Sequence, residues 1–367
     1  MIKIEDAISR EEWDNFVKAR EESNFLQSWD FYEFHLSRGK KIIRRLIKDE
    51  NKIIAAYAGV VETARRGRYL AVAGGPLLDW NDKNLAKSII KDLRSLGSSL
   101  GCVFVRIRPQ LPLAPIFSEI SSALPSSATP VNRNPKSSKP SPKNPLALMS
   151  SLGLKRAPMY LSVEYAGILD LHNSEEEILK NASQGFRRKL RKAEKSGITL
   201  ETSTDPSIVH TFYELEVKHA ARQGFVPFSE EYLTKQFAAF AKNGEVKMYI
   251  AKLDGEILAM NFMIFYGPEC SYHYGVSSDL GTKYSAAPLL HLAAMKDARE
   301  RSIFRYNLWG IVGRDETSHR FYGVSEFKRS FGCSELRYTP AHDLVLNRPR
   351  YLLTKFIEKS RKILRHV

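Results

Sequence analysis

Cysteine is scarce. Cys102, Cys270 and Cys333 stand 168 and 63 positions apart and form no CxxC pair. That spacing excludes a disulfide scaffold and a structural zinc site, and it fits a reducing cytoplasm. Long apolar runs are missing as well. The most apolar stretch, 257–266, is ten residues long and contains Asn261, whereas a membrane-spanning helix needs ~18 or more. Glu5, Asp6, Glu11, Glu12 and Asp14 sit among the first apolar residues, so no secretory signal is expected. The familiar catalytic fingerprints are also absent. The chain has no GxxxxGK[ST] phosphate loop, GxGxxG turn, HExxH pair or GxSxG elbow. Its nine histidines are scattered without metal-like spacing, so no metal site is expected. A Cys–His nucleophile pair stays open. Cys102 reads as core, and Cys333, after Phe331-Gly332, reads as packing.

What is present is a basic chain of 367 residues, 56 Lys+Arg against 41 Asp+Glu, with a formal charge of +15. The length suits two domains or one large one. The hydrophobic fraction of 43% and charged fraction of 26% are those of a soluble globular protein. Three segments account for the whole charge excess. They are 183–197 at +5, 122–145 at +4 and 348–367 at +6. Clustering of this kind is the footprint of an anionic partner, with solvated helix faces as the plainer reading of any single run.

Segment 122–145 holds six Ser and six Pro in 24 residues and is expected to be a flexible loop, because it cannot bury enough surface to offset ordering. Two stretches flanking it share one order of elements. In the first, strands 41–49 and 52–62 join at Glu50-Asn51, a third strand covers 68–73, a helix capped by Asp82 covers 83–96, and a strand covers 102–108. In the second, strands 246–253 and 256–266 flank Asp254-Gly255, a strong hairpin signal. A strand at 270–276, a helix at 286–301 and a strand at 303–308 follow. Corresponding features lie 202–204 residues apart, which reads as an internal duplication. The order predicts an α/β fold with mixed sheets. Ser9-Arg10-Glu11-Glu12 and Ser28 should open helices, and further helices are expected near 174–197, 206–222 and 229–243. The tail 351–365 should form a helix packed on the first domain, with an amphipathic membrane-surface helix as its alternative.

Aromatic, glycine and basic residues crowd the second repeat. Tyr272 and Tyr274, two apart on a strand, should share one face. Asn307-Leu308-Trp309-Gly310 ends the next strand. In Phe321-Tyr322-Gly323-Val324-Ser325-Glu326-Phe327-Lys328, a lysine sits among aromatics. Such a lysine can hold a phosphate or stabilise an oxyanion where water is excluded, or simply snorkel at the surface.

These three motifs, together with Phe25-Leu26-Gln27-Ser28-Trp29, Ala64-Arg65-Arg66-Gly67-Arg68-Tyr69, Gly75-Pro76-Leu77-Leu78-Asp79-Trp80, the 187–197 run and Ser229-Glu230-Glu231-Tyr232, carry a resemblance. The chain resembles the FemABX family of peptidoglycan-bridge aminoacyltransferases along nearly its whole length. It is similar to FemX-like members that lack a coiled-coil arm. The resemblance implies two tandem acetyltransferase-like (GNAT-like) domains. The first is 1–121, joined by the C-terminal helix 341–367. The loop 122–145 follows, and then the second domain, 146–340. It also implies an acyltransferase without a cofactor, acting in cell-wall biogenesis. The donor would be aminoacyl-tRNA, and the acceptor UDP-muramyl-pentapeptide or the lipid-linked peptidoglycan precursor. A monomeric, cytoplasmic protein is expected, with peripheral contact at the inner membrane face.

Residue by residue, the resemblance places Lys328 and Phe327 at the tRNA end. Lys328 would neutralise the oxyanion or the departing oxygen, and Phe327 would stack on the terminal adenine. Arg187, with Arg188 beside it, would clamp the precursor's pyrophosphate. The family's first-domain lysine falls at His35, with Lys40 or Lys41 as replacements, and Asn307 stands where an Asp is common. Tyr272 and Tyr274 complete the expected substrate site. Three rivals remain: an acyl-CoA N-acyltransferase on the same fold, leucyl/phenylalanyl-type transfer to protein N-termini, and a non-catalytic RNA-binding module. The first is disfavoured because 281–288 (GTKYSAAP) lacks the paired glycines of a CoA-binding turn.

Overall fold

The computed structural model describes residues 2–64, 67–113 and 142–364. Arg65, Arg66 and most of the 122–145 loop lie outside them. The chain divides into two compact units, residues 1–165 with 336–367, and residues 166–335.

The first unit opens with β1 (Ile2–Asp6), α1 (Arg10–Lys18), α2 (Trp29–Ser37), β2 (Lys41–Asp49), β3 (Lys52–Ala64), β4 (Gly67–Gly74), α3 (Lys83–Ser99) and β5 (Cys102–Pro109). The helix starts follow local chemistry. The hydroxyls of Ser9 and Ser28 accept from the amides of Glu12 and Phe31, and the Asp82 carboxylate accepts from Asn84 and Leu85. Next come α4 (Pro145–Ser151) and β6 (Lys155–Arg156).

The second unit contains β7 (Tyr165–Asp170), α5 (Glu175–Asn181), α6 (Gln184–Glu194), β8 (Thr199–Ser203), α7 (Ile208–Gln223), α8 (Glu230–Ala241), β9 (Val246–Leu253) and β10 (Glu256–Tyr266). It continues through β11 (Glu269–Ser277), α9 (Asp279–Tyr284), α10 (Ala287–Glu300), β12 (Arg305–Gly310), α11 (Tyr322–Arg329) and β13 (Ser334–Arg337). The chain then returns to the first unit with β14 (His342–Val345) and α12 (Arg348–Leu364).

Among the described residues, each unit is built on a seven-stranded mixed sheet. The orders are β1-β2-β3-β4-β5-β14-β6 and β13-β7-β12-β11-β10-β9-β8. Read in matching directions they superpose: three antiparallel neighbours, then a strand returned parallel through α3 or α10, then an antiparallel closing strand. That is the duplicated hairpin–strand–helix–strand unit. The closing strands come from opposite ends, β14 after the second unit and β7 before it. Residues 142–165 belong with the first unit rather than with a second domain starting at 146, because β6 pairs with β14 through His342↔Arg156.

One further expectation changes. The helix expected over 174–197 is two helices, broken where Ala182 and Ser183 turn extended and the Ser183 hydroxyl starts α6 by accepting from Phe186. Helix α12 does pack onto the first sheet. Tyr351 is buried edge-on against Phe104 at 5.6 Å, and its hydroxyl reaches Asp343 at 3.0 Å. Arg106 on β5 binds both Asp343 and Glu358, at 2.7 and 2.8 Å.

The sheets differ at one place. In the first, β4 and β5 stay paired from Arg68↔Cys102 to Gly74↔Pro109, with one register shift after Arg68 at the start of the ladder. In the second, β11 and β12 are registered only from Glu269↔Arg305 to Ser271↔Asn307 and then part. Both parting strands are bulged, β11 against β10 between Tyr272 and Tyr274, and β12 against β7 between Asn307 and Gly310. Bulges bend a strand and re-aim its side chains, so the second sheet opens where the first stays closed.

Candidate active site

The opening between β11 and β12 is spanned by Lys328. Its Nζ donates to the Gly310 carbonyl at the end of β12 (2.7 Å) and lies 5.8 Å from the centre of the Tyr272 ring on β11. Helix α11 holds it there through three consecutive anchors. The Ser325 hydroxyl accepts from the Val312 amide, Lys328 binds Gly310, and Arg329 donates to the Val312 carbonyl. The positions i, i+3 and i+4 put all three on one face of the helix. Lys328 is only 6% exposed. Burial lowers its ammonium to about 7, since a dry environment disfavours the charged form. An ammonium has three N–H groups, and Gly310 takes one.

Around it, Phe327 is half-buried, edge-on to Phe331 at 5.2 Å and near His291 at 5.7 Å. His291 is fully buried. Burial first, and then the Lys328 charge, push its imidazole down to about 3. Its Nδ1 shares a 2.7 Å hydrogen bond with the Tyr306 hydroxyl, and its Nε2 is buried without a partner. Cys333 donates to the Lys328 carbonyl at 3.4 Å, and burial pushes its thiol up to about 11. That thiol is a packing group, not a thiolate nucleophile.

Tyr272 and Tyr274 do not share a face. Across the bulge Phe262 pairs with Tyr274 and Met263 with Tyr272, so the extra residue reverses the alternation. Tyr272 joins the α10 side beside His291 (4.5 Å) and Lys328. Tyr274 and His273 face α7 and α8, where Tyr274 meets Phe262 and Phe228, and His273 contacts Gln236 at 3.1 Å. On that side lies an acid absent from the sequence-based site. Glu216 on α7 is 9% exposed, its Oε2 is buried without a hydrogen-bond partner, and burial lifts its carboxyl to about 7. Its charge is felt by Tyr274. No spacing pattern marks it; the signal would have been a glutamate on the inner face of a helix.

Asn307 has a structural task. Its Nδ2 donates to Glu269 (3.1 Å), and its Oδ1 accepts from the Trp309 amide (2.7 Å). That bond pins Trp309 at φ 66°, a left-handed conformation costly for a bulky residue. Glu269 is already paired with Arg305 at 2.7 Å.

The expected phosphate ligands are placed differently. Arg187 on α6 turns its Nη1 to the carbonyls of Leu179, Lys180 and Ala182 (2.8–3.2 Å), satisfying the end of α5. Arg188 is exposed on the outer face of α6, beside Lys189, Arg191, Lys192 and Lys195. His35 belongs to the first unit. It is buried edge-on to Phe31 at 4.7 Å, with Nδ1 unpartnered, and burial pushes it down to about 3. A neutral, enclosed imidazole supplies no charge to a phosphate. Lys40 is paired with Glu62 at 2.7 Å, while Lys41 is exposed. At 281–288 the short α9 ends at Ser285 (φ 60°), and α10 starts with Pro288 in its first turn and no side-chain cap, unlike an amide-lined pyrophosphate cradle. A surface groove of about 480 Å³ runs along α7, lined by Thr211, Glu214, Lys218, Arg222 and Asp279, and holds none of the Lys328 cluster.

Over residues 8–256 and 245–359 the sequence matches the FemAB family. The chain belongs to that family. It is similar to the aminoacyltransferase FemA of Staphylococcus epidermidis, 21% identical over 426 residues that cover 97% of this chain and 99% of that protein. It is also similar to the lipid II:glycine glycyltransferase of Staphylococcus aureus, 21% identical over 54% of this chain and 63% of that one. Among solved structures, a crystal structure of FemX aligns with a TM-score of 0.80 at 18% identity, covering 96% of this chain and all of that one. A tandem GNAT protein from the clavulanic acid biosynthesis pathway aligns at 0.54 and 12% identity, covering 94% and 99%. The fold of this chain is thus two tandem GNAT-like units. Among the described residues no helix is long and apolar enough to cross a membrane.

Proposed function

We propose that this FemAB-family acyltransferase moves an amino acid from aminoacyl-tRNA to the stem-peptide amine of a peptidoglycan precursor, with the Lys328 opening as the transfer centre. The observation that carries the reading is a buried ammonium, tuned by its surroundings, set where two parallel strands part. The relatives named for aminoacyl and glycyl transfer, one of them to lipid II, support the substrate classes.

The chemistry is aminolysis of an ester. The neutral acceptor amine attacks the ester carbonyl, a carbon–nitrogen bond forms, and negative charge gathers on the carbonyl oxygen. The carbon–oxygen bond to the ribose then breaks, and the departing oxygen takes up the proton that the amine gives up. Lys328 has two N–H groups to offer either oxygen. In a site shielded from water such a donor contributes far more than in solution, and holding both reactants there supplies the rest. Phe327 beside it offers an aromatic face for the terminal adenine. Arg188 and the cationic outer face of α6 offer contacts for phosphates, and Tyr272 forms the wall of the opening.

The test is direct. The purified protein is incubated with a pool of charged tRNAs and a muramyl-pentapeptide, and the product is weighed. A gain of one amino-acid residue, dependent on charged tRNA, is expected. A product formed equally with acetyl-CoA and no tRNA would overturn the donor assignment.

A further inference from the structure

Helix α12 has two working faces. The inner face is spent on the first sheet through Tyr351, Thr354 and Glu358, of which Tyr351 and Thr354 are buried and Glu358 is bonded to Arg106. The outer face exposes Leu352, Leu353 and Phe356, at 65%, 57% and 71%. Single exposed apolar residues need no explanation, but these stand at i, i+1 and i+4, one contiguous stripe. Flanking it are Arg348, Arg350 and Lys359, all exposed, with Lys355 half-exposed. Segment 348–367 carries seven basic residues and one acid, and that acid, Glu358, is turned inward. The solvent-facing charge of the described part of the helix is therefore of one sign.

We propose that α12 seats this protein on an anionic lipid bilayer, with Leu352, Leu353 and Phe356 entering the headgroup–acyl boundary and the flanking Arg and Lys pairing with lipid phosphates. Amphipathic helices that lie in a membrane surface combine these same two features. A bilayer fits better than a second protein. A stripe of three side chains is far smaller than a stable protein interface requires, whereas a membrane adds an attraction for every nearby cation. Because the inner face is bonded to β5, the helix docks without leaving its own sheet. The inference is independent of the transfer chemistry.

The experiment is flotation of the full chain with two kinds of vesicle, pure phosphatidylcholine and an equimolar mixture with phosphatidylglycerol. Binding to the mixed vesicles alone is expected, and it should weaken as salt is raised because surface charges are screened. A variant with Leu352→Ser, Leu353→Ser and Phe356→Ser should lose about tenfold or more in partition, as should Arg350→Glu with Lys359→Glu. Both should keep the thermal midpoint, since neither touches the inner face. Binding that ignores lipid charge, no binding at all, or triple-serine binding equal to the native chain would each overturn the proposal. So would sedimentation showing a dimer that the triple-serine variant breaks, without lipid binding.

Discussion

The ammonium of Lys328 and the carbonyl of Gly310 close a 2.7 Å hydrogen bond across the point where β11 and β12 part. The bond joins the C-terminal half of α11 to the end of β12, so the same side chain shapes the opening and supplies its charge. Structural and chemical roles can be separated, because burying the charge carries a cost.

Lys328→Met should cut aminoacyl transfer by at least about a hundredfold while the protein stays folded. The native ammonium is lowered to about 7 from 10.5, so between those values the unfolded chain binds the extra proton and native stability rises with pH. The methionine variant escapes this penalty. Its melting temperature relative to the native chain should be most favourable below pH 7, with the advantage fading towards pH 10. A variant that is active, or that fails to fold at pH 6, would show Lys328 to be scaffolding alone.

Glu216 has the opposite sign. Its carboxyl is raised from 4.5 to about 7 by burial, so the folded chain keeps a proton that the unfolded chain releases. Native stability should fall as pH rises through that window and level off above it. Glu216→Gln should remove the slope, stabilising the protein by about 1–3 kcal/mol at pH 8 and hardly at all at pH 4. Urea midpoints at the two values measure this. A parallel pH dependence in both proteins would mean that the native acid ionises freely.

Asn307→Asp should destabilise by about 1–3 kcal/mol and gain no activity. The new carboxylate would face Glu269, which already holds the cation of Arg305, and like charges enclosed together disfavour ionisation. Thermal melting checks the cost, and the mass assay checks turnover.

Arg106→Met leaves Asp343 buried without its cation and Glu358 without its partner. Breaking a buried ion pair from one side costs about 3–5 kcal/mol. We expect a large drop in denaturation midpoint, and faster proteolysis near α12 than elsewhere. Replacing exposed Arg348 by Met should change neither.

Much of the fold was legible in the chain. Alternating or continuous apolar runs marked β2–β5 and β9–β12 within a few residues, and Ser9, Ser28 and Asp82 announced helices that do begin there. Strand β8 escaped notice because TLETS lies exposed along nearly its whole length and shows no apolar face. Strands β7 and β14 escaped because their place in the sheets depends on partners far away in sequence. At the candidate site, the sequence singled out Lys328, Phe327 and Tyr272, which the structure gathers. It also singled out Arg187, His35 and Tyr274, which are respectively occupied with a helix end, sealed among aromatics and turned to the other face.

The local code, meaning side-chain period, turn residues and caps, was enough to specify element order, the repeat and the location of charge, because each depends on neighbours a few positions away. The parting of β11 from β12, the bulge that separates Tyr272 from Tyr274 and the inward turn of Lys328 were decided only when distant strands paired. One extra residue in a ladder reverses every face beyond it, and the dryness that retunes an ammonium comes from everything packed around it.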